Sequence, residues 1–136
     1  MKIDFDEINN ILSTFIDADT PFITLRELGF FTKEGTELNS LIFHLNLLVE
    51  TGLISNRKLE TGSMECIGVV FHSTNIGGRA IPIRLTMAGH DFAKSLNQIP
   101  ILERIKKELS DAPFELIKQA AGQWAEKLLK DKLGLK

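Results

Sequence analysis

From Leu38 to Val49, apolar side chains recur as Leu38, Leu41, Ile42, Leu45, Leu48 and Val49. Steps of three and four put them on one face of an α-helix. Gly52 comes three residues later, and Leu53 and Ile54 then resume as a short extended apolar run. A helix that ends on a left-handed glycine can turn straight into a strand sharing its core. The stretch SLIFHLNLLVETGLIS, Ser40 to Ser55, therefore sets the middle of the fold. It also carries a puzzle. Between Thr36 and Thr51 there is no Lys or Arg, and there are two Glu, Glu37 and Glu50.

The flanking sequence supplies the remaining elements. Ile8, Ile11, Leu12, Phe15 and Ile16 predict a first helix from Asp4 to Phe15, with Asp4 and Glu7 as a capping pair. Asp17 to Pro21 stops it, and Phe22 and Ile23 read as a short extended piece. Thr24-Leu-Arg-Glu27 is a second capping box, predicting a helix from Leu25 to about Phe30, and Thr36 is the expected cap of the third helix. Three strands are expected next, Leu53–Leu59, Met64–His72 and Arg79–Leu85, joined by turns at 60–63 and 73–78. Pro82 marks the last as an edge strand, or as one paired on one side only at that point, because proline donates no ladder bond. Thr86 caps a fourth helix, Met87 to Leu96; a fifth runs from Ile101 to Leu109 and a sixth from Pro113 to about Leu133.

At 136 residues and 43% hydrophobic content the chain fits one domain with a helical extension. MKIDFDEINN has no apolar signal region, no run is long enough to span a bilayer, and the single Cys66 forms no internal disulfide. A cytoplasmic protein with no membrane association is the expectation. Net charge is −2, unevenly spread. Residues 1–56 carry three bases against nine acids, and residues 57–136 thirteen bases against nine acids.

Two motifs, FHLNLLVETGLI (Phe43 to Ile54) and IRLTMAGHDF (Ile83 to Phe92), with the terminal KLGL (Lys132 to Leu135), resemble an uncharacterised winged helix-turn-helix family of bacteria, their phages and mobile elements. The resemblance covers nearly the whole chain, and L-T-x-x-G-H-x-F is its most specific part. It implies an α+β fold: a winged helix-turn-helix domain over residues 1–97, with a three-stranded wing, and a C-terminal helical extension over 98–136. By analogy with other winged helices it implies nucleic-acid binding, with the third helix in the major groove.

Enzyme chemistry finds little footing. His44, His72 and His90 lack the spacing of a zinc motif, and the lone cysteine sits in no cluster. His44 and His90 are expected to be half-buried and structural, bonding across the junction of wing and fourth helix. Cys66 and His72 would share one strand face, but six extended residues span ~20 Å. Asn75-Ile-Gly-Gly78 lacks the Lys-Ser/Thr of a phosphate loop and reads as a hairpin tip with positive φ. No cofactor or metal is expected.

The third helix offers Asn39 and Asn46, which can bond adenine, and Ser40 and His44, which can reach bases or phosphates. Phosphate neutralisation would have to come from Arg57, Lys58 and Arg79. Phe43 and Leu47 lie opposite the core stripe, where a protein contact suits them better. In the last helix Phe114, Ile117, Ala121, Trp124 and Leu128 follow the spacing of a coiled-coil seam. They fit either packing on the chain's own core or a dimer interface; we take the homodimer as the expectation. The sequence thus points to a DNA-binding transcription regulator of a phage or mobile element. The alternative is a winged-helix protein-interaction module that binds no DNA.

Overall fold

The computed structural model describes residues 1–134, so Leu135, which closes the KLGL motif, lies outside the described residues. The described residues form a mixed α+β arrangement of five α-helices and two small antiparallel sheets. Contacts divide it into two compact units, Met1–His90 and Asp91–Lys136.

In the first unit, α1 (Phe5–Ile16) starts at Asp4, whose carboxylate accepts from the backbone N–H groups of Asp6 and Glu7. Phe5, Ile8, Ile11 and Leu12 form its buried stripe. The expected capping pair is only half made. The Asp4 N–H does not go to Glu7 but donates to His44 Nε2 at 2.9 Å.

The second capping box does form. Glu27 accepts from the Thr24 hydroxyl at 2.6 Å and from the Thr24 N–H at 2.9 Å. Together these bonds, with the side-chain one foremost, hold the Glu27 carboxyl below its ordinary value. Yet the helix expected from Leu25 to Phe30 is absent, and residues 25–32 are a run of turns. Gly29, at φ +83°, breaks the helical path, and the Phe30 N–H reaches back to the Leu25 carbonyl. Leu25, Leu28 and Phe30 are buried all the same.

Helix α2 (Gly35–Glu50) buries Leu41, His44, Leu45, Leu48 and Val49, with Leu38 and Ile42 half-buried. Its N-cap is Glu34, with no side-chain bond, so Thr36 lies inside the helix instead of capping it. Gly52, at φ +74°, ends the turn after it.

The three long strands are corrected to four short ones in two separate pairs. Strand β1 (Ile54–Asn56) stops where the Asn56 side chain accepts from the Lys58 and Glu60 N–H groups and folds the chain back. Met64–Ile67 is a 3₁₀ turn capped by Ser63, with Met64 and Ile67 buried, so Cys66 is not on a strand. Strands β2 (Val69–Phe71) and β3 (Ile76–Gly78) pair as a hairpin. A tight turn at 72–75 closes it, with the His72 N–H on the Asn75 carbonyl. Gly77 and Gly78 are therefore strand residues rather than the tip.

Strand β4 (Ile83–Leu85) pairs with β1, Asn56 facing Ile83 and Ile54 facing Leu85. On its other side Ile83 exchanges both backbone bonds with Ile23. It is thus an inner strand, not an edge. Pro82 sits just before it, where no ladder bond is required.

The Thr86–Gly89 part of the IRLTMAGHDF motif has a structural cause. The Thr86 hydroxyl donates to the Gly52 carbonyl at 2.7 Å and accepts from the Gly89 N–H at 3.1 Å. It thereby caps α3 (Met87–Leu96) and ties it to the end of α2. A Cβ at Gly89 would run into the Leu53 carbonyl oxygen. The boundary between the two units falls within α3.

In the second unit, α4 (Ile99–Glu108) carries Pro100 in its first turn and buries Ile101, Leu102 and Ile105. Helix α5 (Phe114–Lys132) packs on α4 and buries Ile117 and Ala121. Among the described residues no helix is long and apolar enough to cross a membrane.

Two substitutions probe this arrangement. Gly89→Ala should reveal the Leu53 contact by its sign. Helix propensity alone favours Ala by ~1 kcal/mol, whereas overpacking against backbone costs ~1–3 kcal/mol. Urea unfolding should therefore show a net loss, and a gain would show that the α3 start can shift. His44→Leu keeps the volume but strands the Asp4 N–H. Stability should fall by ~0.5–1.5 kcal/mol, the net worth of the lost part-buried hydrogen bond, read from the same urea midpoints.

Candidate nucleic-acid interface

On the solvent side of α2, Asn39 and Asn46 are exposed and seven residues apart, one above the other along the helix. Glu50 continues the same face, so its only formal charge beyond the first turn is negative. Ser40 is half-buried. It serves the fold through its carbonyl, which accepts from His44 Nδ1 at 2.7 Å.

His44 leaves the candidate set. It is 1% exposed. An amide N–H can only donate, so Nε2 facing Asp4 is the acceptor and the ring proton sits on Nδ1. Both nitrogens are engaged within the fold, leaving none for a base, a phosphate or a metal. His44 does not bond across the junction of wing and fourth helix as expected; its partners are the Asp4 N–H at the start of α1 and the Ser40 carbonyl. Among the described residues no cluster of His, Cys, Asp or Glu could hold a metal ion.

Phe43 and Leu47 are not freely exposed as expected. Both are half-buried, and the Phe43 ring lies edge-on to His44 at 5.1 Å between centroids. Residues one position off the buried stripe still share its flank.

The cations lie elsewhere. Arg57 and Lys58 are exposed on the turn that the Asn56 side chain shapes. Arg79 is exposed at the foot of the β2–β3 hairpin, where its N–H bonds the Gly68 carbonyl at 2.8 Å. Here it borders a small recess of about 270 Å³ with Glu65, Gly68, Val70 and Ile81. Among the described residues none of these three makes an ion pair. Arg84, on the outer side of β4 opposite Ser55, joins them half-exposed. Reading Met64–His72 as one long strand hid a further exposed group, Phe71, which stands beside the hairpin turn at 56% exposure.

The expected dimer seam is largely used up inside the chain. Ile117 and Ala121 are fully buried. Phe114 stands edge-on to Phe92 at 5.7 Å, and Trp124 is capped by the Arg104 guanidinium, 4.1 Å from the ring centroid. Of the five seam residues only Leu128 is exposed. It lines an open groove with Ala125, Leu129, Pro100 and Gly122.

Trp124→Ala separates the two uses of this helix. Loss of the Arg104 stacking should lower the stability of the second unit by ~1–2 kcal/mol and leave the molecular mass in light scattering unchanged. A halved mass with unchanged stability would instead place Trp124 at a contact between two copies.

Comparison of the chain with protein-family models, with curated proteins and with solved structures finds no match.

Proposed function

We propose that the chain is a winged-helix DNA-binding protein, acting as a transcription regulator of the kind carried by phages and mobile elements. The observation that supports this most is the chain path of the first unit. A helix leads to one bridging residue, Ile23, then to a turn segment that buries Leu25, Leu28 and Phe30, and to α2. Strand β1 leaves α2, a hairpin projects, and β4 returns between β1 and Ile23. This order follows the one in which winged helices present one helix to the major groove, with a run of turns standing where their second helix would be. In this reading α2 is that helix, Asn39 and Asn46 are its base-reading groups, and β2–β3 is the wing.

The charge distribution then assigns different work to different parts. Affinity for duplex DNA comes mostly from phosphate neutralisation, and the exposed face of α2 has no cation to offer. Arg57, Lys58 and Arg79 supply the grip, and α2 supplies the choice of sequence. The same absence favours a second reading, in which the module docks on a protein. The partly accessible Phe43 and Leu47 would then be its anchors.

Fluorescence anisotropy on random and selected duplexes at several salt concentrations tests the proposal. Arg79→Ala should weaken binding to every sequence alike and reduce the salt slope by ~1. Asn39→Ala should weaken only the preferred site, by ~1–3 kcal/mol. Absence of binding to any duplex at low salt would overturn the proposal in favour of the protein-docking reading.

A further inference from the structure

We infer that the tip of the β2–β3 hairpin is a wedge for the minor groove of duplex DNA, with Phe71 as the side chain that enters a base step. This rests on the DNA-binding reading above and adds a specific contact to it. Phe71 is 56% exposed, and its cross-strand partner Ile76 is half-exposed. As a cross-strand pair they support the hairpin only modestly, and most of the Phe71 ring stays in water. The stem, by contrast, is firmly seated. Val69 is fully buried, and Gly78 lies so close to Phe30 that a Cβ would come within 2.6 Å of its ring. The Arg79 N–H ties the outgoing strand to the Gly68 carbonyl. A rigid stem with an apolar end is the form in which proteins push Phe or Ile between base pairs and kink the duplex.

Charge selects a nucleic acid over an apolar protein pocket. From Cys66 to His90 there is no Asp or Glu, whereas the first 65 residues hold eleven. The acid-free stretch contains the whole hairpin, together with Arg79 and Arg84. Around the ring, the tip presents His72, Ser73, Thr74 and Asn75, all exposed and all able to donate to phosphate or sugar oxygens. Strand axes in a hairpin stand ~4.8 Å apart, so the ribbon with its atomic thickness is wider than the ~6 Å minor groove, and the tip enters only where the kink opens the groove.

The test uses the whole chain and duplexes carrying 2-aminopurine at a TA or CA step, the steps most easily unstacked. Wild-type protein should raise the 2-aminopurine fluorescence and bring dyes at the two duplex ends closer. Phe71→Ala should abolish the fluorescence rise and weaken binding about ten- to hundredfold, as loss of one base-stacked aromatic does. Phe71→Leu should keep most of both. Because Phe71 is exposed, circular dichroism of both variants should match wild type. If wild type binds duplex without unstacking a base and Phe71→Ala binds equally well, the wedge is refuted and the DNA-binding reading stands. If wild type binds no duplex, both fall.

Discussion

Ile83 holds the first unit together. It bonds backbone to backbone with Ile23 on one side and faces Asn56 across the β1–β4 ladder on the other. Segments sixty residues apart in the chain are thereby brought into one small sheet. Closing such a loop costs entropy that local contacts cannot repay. Burial of Ile23, Ile54, Ile83 and Leu85 beneath the helices offsets it. Everything between Asn56 and Ile83, the 3₁₀ turn and the hairpin included, is an excursion from this sheet.

His44 does for the helices what Ile83 does for the strands. It sits in the buried stripe of α2 where a leucine would satisfy the hydrophobic pattern. Instead it accepts the Asp4 N–H, while the Asp4 carboxylate caps the next turn of α1. One orphan donor at a helix N-terminus is thus satisfied from another helix, and the two helices are held in register. The imidazole that looks most like chemistry in the sequence is committed to architecture.

The division of labour proposed for DNA follows from this. Residues that build the core of α2 leave Thr36, Asn39, Asn46 and acidic groups facing water, so in the proposed reading the helix discriminates and other parts hold. Cations and an apolar tip lie on the excursion between β1 and β4. Its stem is anchored on Phe30 and Leu25, in the same turn segment that precedes α2. In the proposed reading, grip and readout therefore stand on a shared support.

The sequence by itself determined five of the six expected helices. Their 3.6-residue stripes, the Asp4 and Thr86 caps, the left-handed Gly52 and the bounds Met87 to Leu96 are local properties, written within a few residues of where they act. The α+β class follows from the same reading. Tertiary structure decided the rest. Strand lengths depended on which backbone lay alongside, so three long runs became four short ones. Pro82 fell outside a ladder whose partner, Ile23, no local pattern could point to. The Leu25–Phe30 segment kept its capping box and its buried residues but not its helix, because Gly29 turned it toward the core. His44 and the Ile117–Ala121 stripe were legible as chemically capable and as apolar. Whether each faced solvent, a partner or the chain's own interior is settled by non-local contacts, and a side chain's chemistry does not say which surface will cover it.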